Sequence, residues 1–195
     1  MARKLRLQYE GAIYHITVRG NGRRRIFHDD SDRERLLWRI SESADLYEVR
    51  IYLFCLMDNH FHLVVETPRA NISRFMQSVL TGYSVYYNLK RNSCGHVLQG
   101  RYGAEVVEGN KYLLSLSRYV HLNPVCTREY KNKSIREKVT CLRAYKWSSY
   151  RGYTDKRRRF DFIEYSPTLS LVSVPKKSKR GRLQAVCGDG LVADG

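Results

Sequence analysis

"VRIYLFCLMDNHFHLVVETP", residues 49–68, holds two apolar runs separated by a polar pair. Val49–Met57 is apolar on both faces of an extended chain, which predicts a buried strand. Asp58-Asn59 predicts a short hairpin turn, and His60–Thr67 reads as the returning strand, ended by Pro68. Strand residues i and i+2 share a face. His60 and His62 therefore project together, and Phe61 between them turns to the opposite, core-packing face.

Working outward, "GAIYHITVRG" alternates, with Ala12, Tyr14, Ile16 and Val18 on one side. It predicts a strand with one buried face. "RGNGRRR" breaks it with glycine and charge. Arg19, Arg23, Arg24 and Arg25 are candidate phosphate contacts there, although a solvated charged face gives the same pattern. "SDRERLLWRISESADLY" predicts a helix capped by Ser31 with Glu34 three residues on. "NISRFMQSVLTGYSVYYNLKRN" predicts a long helix, "GHVLQGRYGAEVVEG" a fourth strand, and "NKYLLSLSRYVHLN" a second long helix closed by Pro124. The order strand, helix, strand, strand, helix, strand, helix predicts an α+β, ferredoxin-like sandwich around a central antiparallel sheet. Beyond Pro124, "WSSYRGY" predicts a short helix that packs Trp147 on the core. Residues 1–165 read as one domain and 166–195 as a basic, poorly ordered tail.

Thirty-five Lys and Arg face 19 Asp and Glu, a formal charge of +16, and 15 tyrosines accompany them. Positive charge concentrates phosphate backbones, and interleaved aromatic rings stack unpaired bases. The composition thus favours a nucleic acid as partner over a soluble basic protein whose charge serves no ligand. No apolar run approaches the roughly 20 residues that span a bilayer, and no helix is strongly basic on one face and apolar on the other. The N-terminal segment lacks an apolar signal core, so a cytoplasmic location without membrane is expected. The five cysteines form no C-x-x-C pair, which argues against a disulfide scaffold and a cysteine-based zinc site.

Two imidazoles on one strand face can bind one divalent ion. Two unrelated surface histidines would leave the same short pattern, and a site needs a third ligand. In "SRYVHLNP", Tyr119 and Asn123 lie four residues apart, on one helical face. Pro124 disfavours helical geometry at Asn123, which makes Asn123 the expected last helical residue. Its amide oxygen is a fair ligand for Mg²⁺ or Mn²⁺. On spacing alone, the favoured reading of Tyr119 is an ordinary packing tyrosine beside Leu116 and Val120.

Taken in order, "LRLQYEGAIYHITVRGNGRRRIFHDD", "DNHFHLVVETP", "GHVLQGRY", "RYVHLNPV" and "WSSYRGY" resemble the single-tyrosine transposases of bacterial insertion sequences. More closely, they resemble the REP-associated tyrosine transposases of the HUH endonuclease superfamily. The likeness runs over roughly residues 3 to 165. It implies that His60 and His62 are the two HUH histidines, Tyr119 the nucleophile and Asn123 the polar metal ligand, where related members use Gln. It implies a metal-dependent single-strand DNA endonuclease and strand transferase that acts on hairpin-forming repeats through a 5′-phosphotyrosine, with Mg²⁺ or Mn²⁺ as cofactor, as monomer or homodimer. No role is carried onto His121. The stretch after "NPV" is longer and more lysine-rich than the family pattern. A catalytically silent hairpin-binding regulator is the alternative, but it would need none of the four site residues. A histidine–metal hydrolase using water would not need Tyr119.

Overall fold

The computed structural model describes residues 7–172. Among them the order is β1 (Ala12–Arg19), α1 (Asp30–Tyr47), β2 (Arg50–Met57), β3 (His60–Thr67), α2 (Ile72–Lys90), β4 (Gly103–Val106), α3 (Asn110–Leu122), α4 (Ile135–Ala144), α5 (Tyr150–Thr154) and α6 (Ser166–Ser170). The sheet runs β2-β3-β1-β4, with β1 antiparallel to both β3 and β4. This is the expected α+β, ferredoxin-like arrangement. The chain forms two compact units, Met1–Ile51 with Leu56–Val107, and Tyr52–Cys55 with Glu108–Gly195, so the middle of β2 belongs with the second.

In the first unit, the alternation of β1 and β3 decides which face is sealed. Ala12, Tyr14, Ile16, Val18, Phe61, Leu63 and Val65 are all buried. So are Leu36 and Ile40 of α1 and Phe75, Met76, Val79 and Tyr83 of α2. The Phe27 ring links the two layers, with its centroid 6.5 Å from Phe61 and 5.7 Å from Tyr83. Each such apolar side chain contributes about 1.5–3 kcal/mol on burial. A one-residue slip of register would exchange these residues for the histidine face.

Three local expectations change. The N-cap of α1 is Asp29, not Ser31, and its reciprocal partner is Asp32. The Asp29 carboxylate accepts from the Asp32 N–H at 3.0 Å, and Ser31 donates to that carboxylate at 2.7 Å instead of capping the helix. A serine could not do what Asp32 does. Fully buried, it takes Arg91 in a two-pronged pair at 3.2 and 2.5 Å and Lys90 at 3.0 Å, which ties the start of α1 to the end of α2. The fourth strand shrinks to Gly103–Val106, preceded only by an isolated bridge between Gly20 and Leu98. Trp147 is half-exposed beneath Lys146 rather than in the core. The core positions of that motif are Ser148, Ser149, Tyr150 and Tyr153.

The second unit gathers Val125, Leu142 and Tyr150 into a buried cluster, with Leu122, Tyr130 and Cys141 packed against it. Its share of β2 is held firmly. Phe54 meets Phe160 edge-on at 5.1 Å and Phe162 at 6.1 Å, and the Tyr153 hydroxyl donates to the Tyr52 carbonyl at 2.8 Å. α4, not anticipated as a helix, starts in a Ser134–Glu137 capping box. Of the expected C-terminal tail, Ser166–Ser170 form α6, and residues 173–195 lie outside the described residues. Among the described residues no helix is long and apolar enough to cross a membrane. Cys55, Cys94, Cys126 and Cys141 are free thiols.

The Asp32 knot generates a stability prediction. Burial alone would raise the Asp32 carboxyl, but the His28 backbone N–H, Arg91 and Lys90 outweigh it and hold it below the ordinary 3.8. The unfolded chain then binds more protons than the folded one in acid, so this contribution is complete above pH 4 and is lost as pH falls further. Asp32→Asn leaves two cations without their buried counter-charge, a change that costs about 3–5 kcal/mol. Urea denaturation at pH 7 should show that loss, and below pH 4 the variant's stability should fall less steeply than the wild type's.

Candidate functional site

On β3, Phe61 is fully buried while His60 is half-buried and His62 buried on the opposite face. The two imidazole centroids stand 5.2 Å apart with their planes nearly perpendicular, at 87°. Across the ladder, Arg19 sits opposite His60 and Thr17 opposite His62. The Asn59 amide donates from Nδ2 to the Arg23 carbonyl at 3.1 Å. That fixes Oδ1 toward His60, 2.8 Å from its Nδ1. An amide oxygen only accepts, so His60 carries a proton on Nδ1. His62 Nδ1 lies 3.0 Å from His15 Nε2 and 3.3 Å from Thr17 Oγ1. The His15 and His62 rings stack at 5.2 Å.

Burial, then the neighbouring His15, His60 and Arg19, push the His62 imidazole down to about 3. Burial also lowers His15, opposed by Glu105. Both rings are neutral at pH 7, the form that binds metals. Among the described residues no cluster of three or more His, Cys, Asp or Glu side chains could hold a metal ion. Among the described residues a third protein ligand would be of another type. Imidazole nitrogens and amide oxygens are donor types that suit a divalent ion such as Mn²⁺ or Mg²⁺.

Tyr119 and Asn123 belong to the second unit. Tyr119 is 55% exposed, which sets aside the packing reading. Asn123 Nδ2 donates to the Tyr119 carbonyl at 2.9 Å, leaving Oδ1 as the atom outside that bond. Asn123 does not leave helical geometry before Pro124. It keeps φ −46° and ψ −44° and opens a 3₁₀ turn, Asn123–Val125, in which proline's missing N–H costs nothing. The structure thus brings together His60 with His62, and Tyr119 with Asn123, each pair in its own unit.

His121, to which sequence reasoning gave no role, is fully buried between Tyr150 and Tyr153, with centroids at 5.8 and 5.2 Å. Its Nε2 lies 2.9 Å from Ser149 Oγ. That hydroxyl accepts the Phe54 N–H at 3.0 Å and donates to the Phe54 carbonyl at 3.2 Å. One serine thereby fastens the helix of Tyr119 and Asn123 to the middle of β2. Nothing in "WSSY" or "YVHLN" announces this pairing, because the partners are 28 residues apart.

Arg19, Arg23, Arg24 and Arg25 are all exposed. Their loop is also pinned to the hairpin turn: Gly20 N–H donates to the Asn59 carbonyl at 2.8 Å, Ile26 N–H to the Asp58 carbonyl at 2.9 Å, and Arg25 pairs with Asp58 at 3.2 Å. A Cβ on Gly20 would sit 2.2 Å from the Arg24 carbonyl oxygen, so only glycine fits there.

Residues 8–123 match the family of IS200-like transposases. The chain belongs to that family. Membership makes it a DNA-cleaving enzyme of the transposase class. The matched segment contains His60, His62 and Tyr119 and ends on Asn123. Among solved structures, a REP-associated tyrosine transposase bound to a REP hairpin is similar over 84% of this chain and 91% of its own, with a TM-score of 0.62 at 14% identity. A putative transposase from Deinococcus radiodurans aligns with 61% of this chain and 95% of its own, at TM-score 0.43 and 15% identity. No curated protein matches the sequence.

In this IS200-like transposase, Ser149→Ala would strip a partner from the buried Phe54 N–H and from His121. Each orphaned group costs about 1–3 kcal/mol, so the denaturation midpoint should drop accordingly. Burial pushes the His121 imidazole down to about 3. Stability from that neutral ring is complete above the ordinary histidine value of 6.5 and is lost as pH falls toward 3. His121→Gln should flatten that part of a stability-versus-pH curve.

Proposed function

We propose that this IS200-like transposase, through its residue 1–165 domain, cuts and rejoins single-stranded DNA at hairpin-forming repeats, with Tyr119 as nucleophile. His60, His62 and Asn123 would hold a divalent ion, Mg²⁺ or Mn²⁺. The observation that carries this reading is the pairing of His60 and His62 on one strand face in a family match that also spans Tyr119 and Asn123. When bound, such an ion supplies Lewis-acid polarisation of a phosphate oxygen.

The chain's own groups do the rest. The Tyr119 hydroxyl attacks phosphorus in line. An Oη–P bond forms, the P–O3′ bond breaks, and the tyrosine's proton is balanced by the one gained by the leaving 3′-hydroxyl. The product is a 5′-phosphotyrosine, which a second 3′-hydroxyl can resolve by the reverse exchange, without a nucleotide cofactor. Exposure of Tyr119 supports its access to a strand. The exposed Arg19, Arg23, Arg24 and Arg25 would contact the DNA backbone. The transposase would act in the cytoplasm, as a monomer or homodimer.

The test is a labelled hairpin oligonucleotide with a single-stranded flank, incubated with Mg²⁺ or Mn²⁺ and run on a denaturing gel. Wild type should form a denaturant-resistant adduct. Tyr119→Phe should form none, yet bind the hairpin within about twofold of wild type, because only the nucleophile is removed. Normal cleavage by Tyr119→Phe would sink the assignment.

A further inference from the structure

The His62 ring has a second neighbour that the family reading leaves without a task. His15 projects from β1 onto the histidine face, one pleat beyond Thr17, and stands opposite Glu105 on β4. It is buried and stacked on His62, with its Nε2 3.0 Å from His62 Nδ1. Two imidazole nitrogens at that distance must share one proton between them, since two lone pairs would repel and two N–H groups would clash. Which ring owns it decides which nitrogen of His62 is left to bind a cation.

Glu105 settles the ownership. Its Oε2 lies 4.0 Å from His15 Nδ1. That is too long for a hydrogen bond, but a carboxylate charge at this range favours the proton on the nitrogen facing it. His15 then carries Nδ1–H and offers a lone pair at Nε2. His62 must donate from Nδ1 to that lone pair, with Thr17 Oγ1 at 3.3 Å as a second acceptor. The lone pair of His62 is thereby left on Nε2. His60 likewise has a proton placed on Nδ1, by another route, through Asn59 and the Arg23 carbonyl.

The geometry points to His15 as the positioning residue of His62: with Glu105 behind it, it fixes the Nδ1–H tautomer and presents the Nε2 lone pair to the divalent ion. No proton is gained or lost in this arrangement; only its place is set. Carboxylate–histidine partners behind a ligating imidazole act in this way and typically alter metal affinity by about 10–100-fold. The inference rests on the metal reading above only for its purpose. The tautomer itself is a property of the chain.

Two measurements separate the inference from the metal reading. Long-range ¹H–¹⁵N spectra of the metal-free protein report the tautomer of His62, and calorimetric titration with Mn²⁺ reports affinity. Wild type should show His62 with its proton on Nδ1. His15→Ala should introduce the Nε2–H form and weaken Mn²⁺ binding by about 10–100-fold. Should His15→Ala fail to fold, Glu105→Ala serves instead, because that side chain is 73% exposed and its loss leaves the core intact. It should shift the His62 tautomer and Mn²⁺ affinity in the same direction. An Nε2–H His62 in the wild type overturns the inference. So does an unchanged His62 tautomer with unchanged Mn²⁺ affinity in the folded variants. If wild type shows the Nδ1–H form, lost in the variants, yet takes up no Mn²⁺, the positioning stands and the metal reading falls.

Discussion

A side chain on a strand can face only one of two ways, and β3 makes that restriction serve chemistry. Phe61 is fully buried against Phe27, and its apolar burial holds the strand in one register. Once Phe61 is inside, His60 and His62 are committed to the other face, and the ladder sets Thr17 and Arg19 beside them. No loop has to fold correctly to bring the two imidazoles together. What the pleat cannot set is the rotation and protonation of each ring, and for that the protein uses neighbours from β1, β4 and the hairpin turn. The separation of tasks is clean: hydrophobic burial chooses the face, and hydrogen bonds choose the nitrogen.

The second unit solves a different positioning task. A helix carrying an exposed tyrosine has little apolar surface on that side to hold it. α3 turns Leu113, Leu116, Val120 and His121 inward while Tyr119 remains exposed. The polar member of that buried stripe is the one that is fastened, through Ser149, to the Phe54 backbone. A hydrogen bond is directional where apolar contact is not, so it limits sliding of α3 along the strand in a way that leucines would not.

Much of this was legible in the sequence. Period-two alternation in β1 and β3 and period 3.6 in α1, α2 and α3 were strong, and their order dictated the fold. His60 and His62 followed from the same alternation, and Tyr119 with Asn123 from helical spacing aided by the family pattern. Misses came where long-range partners outweigh local signals. Ser31 looked like the better cap, but only Asp32 could serve Arg91 and Lys90 some 60 residues later, about a helix pair away. Trp147 looked like core because tryptophan is large and apolar, yet the small Ser149 was needed at the backbone of Phe54. α4 carried a readable Ser134–Glu137 box that the basic, loosely periodic stretch around it obscured. His15 was visible as an alternating strand residue, but its partner depended on the β1–β3 register.

The Ser149–Phe54 clasp also bears on the order of events in time. Its two ends are 95 residues apart, and a contact of that span requires a large loop-closure entropy before it returns any stabilisation. During synthesis the β2–β3 hairpin emerges long before Ser149 does. The apolar middle of β2, Tyr52–Cys55, has to wait for the C-terminal third of the chain to cover it. A newly made chain that stops short of Ser149 therefore exposes a hydrophobic strand segment, the kind of surface that aggregates or recruits chaperones. Emergence of the segment around Ser149 and closure of the second unit are in this way the same event.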